Sequence, residues 1–274
     1  MKLVPAAAAV VLALVLAAPA LADPAKVGYP NSIASTGDSI TRAFNTGGFP
    51  FTDAPANSWS TGTNTSVNSH YSRILAANPA VSGHNPNDAK SGAKMTDLNG
   101  QATTVNTQAV DYVTILMGAN DVCTSSEAAM TPVDTLRTQF QSALTTLTAG
   151  SPNTRIFVAS IPNIYNLWSV LKDNGSARFV WGLYGICQSM LANPTSTAQA
   201  DVDRRAAVDQ RERDFDGALE TVCAIYAQCR FDGNAVFNVA FSSADISTRD
   251  YFHPSLTGQK DIATVTWTAG FWGQ

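Results

Sequence analysis

The stretch YVTILMGAND, residues 112–121, begins with a nearly continuous apolar run and ends in a short loop. A strand with one buried face alternates apolar and polar residues, whereas a run such as YVTILM is typical of a strand covered on both faces. Strands of that kind occur in parallel sheets that carry helices on each side. This stretch therefore predicts an α/β fold.

The same pattern recurs along the chain. Further strands are predicted at 32–36, 155–161 and 235–241. Apolar residues at helical spacing predict helices at 134–149 and 201–226 and a closing helix after Ser255. Alternating strands and helices imply right-handed crossovers that cover both faces of a parallel sheet. We therefore expect a three-layer α/β/α sandwich with a central parallel sheet.

Residues 1–22 have the features of a secretory signal peptide. One positive charge, Lys2, precedes an apolar stretch, and the letters ALA at 20–22 form an A-x-A cleavage site. The alternative, a membrane anchor, is disfavoured because prolines break the apolar run, which is short for a span of about 20 residues. We predict secretion with cleavage after Ala22, no integral membrane association, and a single domain over residues 23–274.

The charge balance disfavours several classes of partner. The chain of 274 residues has 17 Lys or Arg and 21 Asp or Glu, and loss of residues 1–22 would remove only Lys2 among them. The remaining 16 basic and 21 acidic residues give a formal charge of −5. A mildly acidic chain without a basic run has no electrostatic footprint for nucleic acid. We expect a monomer that binds no nucleic acid.

The four cysteines of an exported chain are expected to form two disulfides. Cys223 and Cys229 lie in CAIYAQC and would close a small loop. Six positions of continuous helix rise about 9 Å, beyond the reach of a disulfide, so the helix must end between them. Elimination leaves Cys123 with Cys187. A metal site is disfavoured, because the chain has no C-x-x-C motif and no neighbouring histidine pair.

Two polar loops follow predicted strands at the positions where reactive groups gather. The letters GDS at 37–39 follow the first strand, and GAND at 118–121 follows YVTILM. Ligands bind at the carboxyl ends of the strands in open parallel sheets, so these loops are expected to meet at one edge. A serine hydroxyl there becomes a nucleophile when a neighbouring base takes its proton. Ser39 is the candidate nucleophile.

His253 is the candidate base among the three histidines. In RDYFHP, Asp250 lies three residues before it, where a tight turn brings the carboxylate to the imidazole Nδ1–H. His70 and His84 have no acid at that spacing. The structural alternatives are a capping or packing role for His253 and a solvated turn for Asp250.

An acyl-transfer site also needs hydrogen-bond donors for an oxyanion. The candidates are the side-chain amide of Asn120, the N–H of Ser39 at a predicted helix start, and the N–H of Gly92 in SGAKM. Gly83 and Gly100 compete with Gly92 for this role. Asn120 has the alternative role of a turn residue or helix cap.

Asp38 and Asp121 flank the reactive residues. We interpret both as hydrogen-bond acceptors that stabilise loops, because an acid beside the nucleophile or the amide donor needs no catalytic role. Cys123 lies three residues after Asn120, so we expect its disulfide to fix the loop that carries the amide.

The blocks GDSIT, SGAKM, GAND and DYFH occur in the order found in SGNH, or GDSL, hydrolases, which the chain resembles from about residue 33 to 260. The flanking letters SWSTGT and MGANDVC resemble the phospholipase-B-like branch. The resemblance implies a flavodoxin-like domain that cleaves carboxylic esters without metal or cofactor. By position it implies Ser39 as nucleophile, Asp250 and His253 as the rest of the triad, and Ser39, Gly92 and Asn120 as the oxyanion hole.

Aromatic residues between 163 and 191 follow the strand at 155–161, on the side expected to carry the site. They predict an apolar wall for an acyl chain, with Trp59, Trp168 and Trp181 as substrate-binding residues, and core packing is the alternative. We therefore predict a secreted serine ester hydrolase that acts on a small-molecule or lipid ester through a Ser-His-Asp acyl-enzyme. The alternatives are a carbohydrate acetyl esterase and a non-catalytic binding module on the same scaffold.

Overall fold

The computed structural model describes residues 28–273 and centres on a parallel sheet. The strands of this part of the chain lie side by side as β1 (Ile33–Gly37), β2 (Tyr112–Leu116), β3 (Arg155–Val158) and β4 (Cys229–Phe231). All neighbours in this order pair in parallel. β1 and β2 are buried along their whole length, as expected for strands with layers on both sides.

Helices connect the strands and cover the sheet. The α-helices of the described residues are α1 (His70–Ala77), α2 (Leu98–Gln108), α3 (Ala119–Val122), α4 (Val133–Gly150), α5 (Ile164–Leu171), α6 (Gly175–Tyr184), α7 (Gln188–Leu191), α8 (Gln199–Cys223) and α9 (Leu256–Ala269). The helices predicted at 134–149, 201–226 and after Ser255 are confirmed as α4, α8 and α9. The predicted α/β fold with a central parallel sheet is confirmed.

The side chains of the sheet show which face meets the amino- and carboxyl-terminal helices. The His70 ring at the start of α1 is completely buried, and it contacts Tyr112 of β2, Phe157 of β3 and Thr266 of α9. Tyr112 and Phe157 therefore point toward α1 and α9. Because side chains alternate along a strand, their neighbours such as Val113 point to the opposite face. α2, α4 and α8 pack together in one layer.

An irregular segment extends the sheet beyond β1. The N–H of Ile33 donates to the carbonyl of His84 at 2.9 Å, and Ser35 forms an isolated parallel bridge with Asn87. Residues 84–90 thus run beside β1 as an edge of the sheet, at a place where no strand is predicted from the sequence. With this edge counted, the spatial order is the 2-1-3-4-5 arrangement of a flavodoxin-like sheet. The strands remain parallel, but the direction in which successive strands are added to the sheet reverses between β1 and β2.

The strand predicted at 235–241 is wrong, and β4 lies earlier in the chain, at Cys229–Phe231. The buried carboxylate of Asp232 accepts the N–H groups of Asn234 and Val236 at 2.9 and 3.1 Å, which turns the chain. Gly233 and Asn234 have φ values of 66° and 65°, outside the extended region. The apolar residues Val236, Phe237 and Phe241 are buried by this turn and not by a strand.

Both predicted disulfides are present, Cys123–Cys187 and Cys223–Cys229. α8 ends at Cys223 and β4 begins at Cys229, so the helix ends between the two cysteines as predicted. The predicted signal peptide at 1–22 lies outside the described residues. Within residues 28–273, no helix combines the length and apolarity that a bilayer span requires.

Gly37 at the end of β1 offers a test of how tightly the strand end is packed. It has φ 141°, and a Cβ there would lie 2.2 Å from the carbonyl oxygen of Leu116. We expect Gly37→Ala to lower the free energy of unfolding by roughly 2 kcal/mol or more, because backbone must move and φ is strained. Denaturant unfolding measures this loss.

Gly100 in α2 is the matched control, since a Cβ there meets no heavy atom within 4 Å. Replacing a helical glycine by alanine raises stability by about 0.5–1 kcal/mol. Equal effects of Gly37→Ala and Gly100→Ala on the unfolding midpoint would contradict the packing described at the end of β1.

Candidate active site

The site lies where the direction of the strand order reverses. Ser39 follows β1, and Asn120 follows the neighbouring strand β2 in α3, so both loops open on the same carboxyl edge. Parallel sheets bind ligands in the crevice at such a point, because the connections leave it on opposite sides. The predicted meeting of the two loops is confirmed.

A continuous hydrogen-bond chain joins the predicted triad. The hydroxyl Oγ of Ser39 lies 2.7 Å from Nε2 of His253, and Nδ1 of the same ring lies 2.6 Å from Oδ2 of Asp250. A carboxylate at Nδ1 holds the proton on that nitrogen, so Nε2 is left to accept the hydroxyl proton of Ser39. The structure thus brings together three side chains that span most of the sequence.

The chain conformation before His253 orients both ring and carboxylate. Tyr251 has φ 55°, which turns the backbone sharply between Asp250 and His253. Oδ1 of Asp250 accepts the N–H groups of Phe252 and His253 at 3.0 and 3.1 Å. The rings of Phe44 and Phe252 pack against the imidazole, with centroids 4.9 and 5.2 Å away. The imidazole is therefore held by packing as well as by hydrogen bonds.

The charge state of Asp250 follows from these contacts. Its burial raises the pKa, but the hydrogen bond and charge of His253 and the two backbone N–H groups act against burial. The net result is a pKa below the ordinary value for an aspartate. The carboxylate is therefore ionised at neutral pH and stabilises a positive charge on the imidazole.

The segment after Ser39 is not the start of a regular helix, contrary to expectation. One helical turn forms, in which the N–H of Arg42 donates to the carbonyl of Asp38 at 3.1 Å. Ala43 and Asn45 then adopt φ values of 49° and 64°, which end the turn. The predicted role of the Ser39 N–H as an oxyanion donor now rests on this single turn and stays a prediction.

Asp38, which directly precedes Ser39, is completely buried. Its Oδ1 accepts the N–H of Ile40 at 2.9 Å, while Oδ2 accepts no hydrogen bond from the residues that the structure describes. Burial raises the pKa of Asp38 to about 7, against the lowering effects of the Ile40 N–H and the charge of His253. Its bond to Ile40 agrees with the interpretation of Asp38 as a loop acceptor.

Asn120 and the loop that contains Gly92 lie next to each other. The side-chain amide of Asn120 donates to the carbonyl of Ala93 at 2.9 Å, which orients the amide and uses one of its two N–H groups. The N–H of Lys90 donates to the carbonyl of Gly37 at 3.1 Å. These bonds fix both sides of Gly92, which has φ 82°. The oxyanion roles of Asn120 and Gly92 stay predictions.

Asp121 also stabilises a loop, as expected. Its carboxylate accepts the N–H of Met95 and the hydroxyl of Thr131, both at 2.8 Å. The Cys123–Cys187 disulfide ties the other end of α3 to the start of α7. The short helix that carries Asn120 is therefore held on both sides.

Two cavities adjoin His253. A cleft of about 440 Å³ is lined by Asn120, His253 and mainly apolar side chains, among them Phe51, Tyr184 and Phe252. A narrower apolar cavity of about 40 Å³ also adjoins the ring, between residues that include Ile40, Ala119, Leu167 and Phe241. An ester bound beside His253 would therefore have apolar side chains around it.

The structure contradicts the prediction of substrate binding by three tryptophans. Trp59 and Trp181 are almost completely buried, and their indole N–H groups donate to Thr41 and to the carbonyl of Tyr251. Trp168 donates to the carbonyl of Pro194 and lines a separate pocket. All three rings belong to the packed interior, the alternative considered for them, because each N–H finds an internal acceptor.

His70 is a core residue and no part of the site. Tyr112 and Thr266 hydroxyls lie 3.0 and 2.9 Å from its ring nitrogens, and burial followed by the charge of Arg73 lowers its pKa to about 3. Among residues 28–273, no group of three or more His, Cys, Asp or Glu side chains is placed to hold a metal ion.

Asn45 contacts the triad although the sequence did not indicate it. Its side-chain N–H donates to Oδ2 of Asp250 at 2.5 Å, and its Oδ1 accepts the N–H of Phe51 at 2.5 Å. Asn45 is buried with φ 64°, a conformation that asparagine adopts more readily than most residues. The letters FNTGG predict a turn at most, and nothing in them points to a partner 205 residues away.

Comparison with known proteins defines the class of this enzyme. The profile of the GDSL-like Lipase/Acylhydrolase family matches residues 36–260, so the chain belongs to this family. It is therefore a carboxylic ester hydrolase. No curated protein has a sequence that matches it.

Solved structures of other proteins have a similar fold. The extracellular lipase of Streptomyces rimosus has a TM-score of 0.54 and 16% identity, over 87% of this chain and 99% of the lipase. A protein of Parabacteroides merdae described as a GDSL-like lipase has a TM-score of 0.54 and 18% identity, over 87% of this chain and 94% of its own. At such identities the likeness concerns the fold alone.

The bond from Asn45 to Asp250 can be tested by substitution. We expect Asn45→Ala to lower kcat by about tenfold with little change in KM, because a hydrogen bond to a charged group contributes about 1.5–3 kcal/mol. Steady-state kinetics on a soluble ester measures both constants. Asn45→Gly is the control for backbone strain, since glycine adopts a positive φ freely. If Asn45→Gly had normal kcat, the amide would have no positioning role.

Asp38 gives a pH-dependent stability. Because its pKa of about 7 lies above the ordinary 3.8, folding favours the protonated acid. The contribution of protonated Asp38 to the free energy of unfolding is therefore fully present below about pH 4 and is lost as pH rises through 7. The loss has an upper limit of roughly 4 kcal/mol. We expect Asp38→Asn to gain stability relative to the wild type as pH rises from about 4 to 8.

Denaturant unfolding of both proteins at each pH measures this difference. Since the interpretation gives Asp38 no part in proton transfer, the variant should keep kcat within about tenfold. A stability difference independent of pH would show that Asp38 titrates normally in the folded protein.

Proposed function

We propose that this enzyme is an exported serine hydrolase that cleaves lipid-type carboxylic esters through an acyl-enzyme. Ser39 is the nucleophile, His253 is the general base and acid, and Asp250 orients the imidazole. The proposal rests on one observation, the hydrogen-bond chain from Ser39 Oγ to His253 Nε2 at 2.7 Å and from His253 Nδ1 to Asp250 Oδ2 at 2.6 Å.

In the first half of the reaction, Ser39 Oγ attacks the ester carbonyl carbon while His253 Nε2 takes the hydroxyl proton. The carbonyl electron pair moves to the oxygen, which becomes the oxyanion of a tetrahedral intermediate. Its collapse restores the carbonyl and breaks the bond to the alkoxy oxygen. That oxygen receives the proton from His253 Nε2 and leaves as the alcohol, so the acyl group remains on Ser39.

In the second half, water repeats these steps. His253 Nε2 takes a proton from a water molecule while the oxygen of that water attacks the acyl carbon. Collapse breaks the bond to Ser39 Oγ, which recovers a proton from His253 Nε2, and the carboxylic acid is released. The second amide N–H of Asn120 and the backbone N–H groups of Ser39 and Gly92 are the proposed donors to both oxyanions.

The surroundings of His253 support a lipid-type substrate. The narrow cavity beside Ile40 and Leu167 and the wider cleft beside Phe51 and Tyr184 are lined mainly by apolar and aromatic side chains. Such a lining gains free energy by removing hydrocarbon from water. An acyl chain therefore fits these cavities better than a sugar does.

Two disulfides and the composition of residues 1–22 support export, because disulfides persist in oxidising compartments. We propose cleavage after Ala22 and a mature enzyme of one domain, residues 23–274. The position of the Cys123–Cys187 bond at the end of α3 makes the oxidised state relevant to the site as well as to stability.

A panel of p-nitrophenyl esters from acetyl to palmitoyl tests the proposal. We expect activity to increase with acyl length, because each added methylene leaves water. Ser39→Ala should abolish turnover and labelling by a fluorophosphonate, and Asn120→Ala should lower kcat by about 10²–10³.

The exposed Ser66 provides the matched control, and Ser66→Ala should leave labelling and kcat unchanged. Activity confined to acetate would reject the lipid substrate in favour of a small or acetylated one. A fluorophosphonate adduct on a residue other than Ser39 would reject the mechanism.

A further inference from the structure

A group of large apolar side chains is exposed to solvent around the cleft. Phe49, Phe51, Phe179, Leu183 and Tyr184 are 77, 49, 69, 61 and 58% exposed, and we call them the apolar rim. A soluble protein rarely leaves so many large apolar side chains in one area without a use for them. They come from only two segments, the loop before Asp53 and helix α6.

The apolar rim is continuous with the candidate active site. Phe51 and Tyr184 line the same cleft as Asn120 and His253, and their rings contact each other with centroids 5.5 Å apart. The loop and α6 therefore meet across the cleft. The other members of the apolar rim belong to the same two segments.

The segment that carries Asp250 also fixes both parts of the apolar rim. The guanidinium of Arg249 donates to the carbonyls of Gly47 and Phe49, each at 2.6 Å. On the other side, the buried Trp181 of α6 donates to the carbonyl of Tyr251 at 3.0 Å. The rim is consequently held in a defined position relative to the triad.

The charges of these segments set the apolar rim apart from the rest of the surface. The chain has 21 acidic against 17 basic residues, yet residues 44–52 and 175–188 contain no Asp or Glu. Arg178 is the one charged residue in those two ranges, and Arg249 lies directly against the loop. The two segments themselves therefore carry positive charge only, although Asp53 and Asp173 lie just outside them, and arginines are complementary to the phosphate groups of a lipid layer.

We propose that the apolar rim docks the enzyme onto a lipid surface, with the cleft opening toward the lipid. The inference rests on the proposed hydrolysis of lipid-type esters and adds where that substrate is met. Aromatic and leucine side chains would enter the boundary between headgroups and acyl chains, and the arginines would lie at the phosphates. A lipid ester would then reach Ser39 from the layer through the cleft.

The test compares binding and chemistry in separate assays. Binding is measured by co-sedimentation with vesicles of phosphatidylcholine and phosphatidylglycerol, in an Ser39→Ala background that leaves the lipid intact. We expect the triple variant F49Q/F179Q/L183Q to bind vesicles at least roughly tenfold more weakly. Burial of even one large apolar side chain contributes about a tenfold change in affinity. Its thermal midpoint should be normal, since the replaced side chains are exposed.

The matched control is Ile225→Gln. Ile225 is 62% exposed and lies between α8 and β4, at the amino end of the strands and opposite to the cleft. It should not change vesicle binding. With the active Ser39 restored, the triple variant should hydrolyse dissolved p-nitrophenyl butyrate at the wild-type rate and phosphatidylcholine vesicles more slowly.

Each other result counts against docking. Equal vesicle binding by the triple variant, or equal loss in Ile225→Gln, would overturn the inference. So would a wild type that does not bind vesicles and instead forms a dimer that the triple variant loses, since the rim would then join two copies. Absence of wild-type hydrolysis of dissolved butyrate would instead reject the proposed function, independently of vesicle binding.

Discussion

The short contact between Ser39 Oγ and His253 Nε2 joins residues 214 positions apart and imposes a constraint on the whole fold. It requires the loop after β1 and the loop before α9 to remain in one place relative to each other. Gln259 of α9 reinforces that relation, because its side-chain amide donates to the carbonyl of Ile40 and accepts the N–H of Trp59. α9 is thus attached by hydrogen bonds both to the loop after β1 and to Trp59.

Buried carboxylates hold the loops at this edge of the sheet where regular structure is absent. Asp38 and Asp232 accept backbone N–H groups of the loops after β1 and β4, and Asp216 accepts the N–H of Ile161 after β3. Asp121, which itself follows β2, accepts the N–H of Met95 before α2. Burial raises the pKa of each of these acids. Asp250 differs, because the hydrogen bond and charge of His253 and two backbone N–H groups lower its pKa by more than burial raises it. The direct hydrogen bond to the imidazole distinguishes Asp250 from the acids that support loops.

The sequence could predict those features that local patterns encode. A continuous apolar run marked β2, and polar residues at the ends of elements indicated Ser39, Asn120 and His253. The fold class and the candidate site could therefore be predicted, and the catalytic roles stay predictions. The strand at 235–241 failed because its apolar residues are buried in a turn organised by Asp232. The edge at 84–90 was missed because its pairing with β1 uses backbone groups in a polar, proline-containing segment. Burial of Trp59 and Trp181 depends on distant partners, which composition does not reveal.

Residues 249–253 connect the exposed segments around the cleft to the candidate active site. Arg249 holds the loop of Phe49, Asp250 orients the ring of His253, and the carbonyl of Tyr251 anchors α6. If the loop of Phe49 or helix α6 moved, it would shift the backbone of Arg249 or Tyr251, the two neighbours of Asp250. Asn45 adds a second path, because one side chain contacts both Asp250 and the N–H of Phe51. The hydrogen bond between Ser39 and His253 therefore depends on the segments around the cleft mouth, so the mouth and the candidate active site form one structural unit.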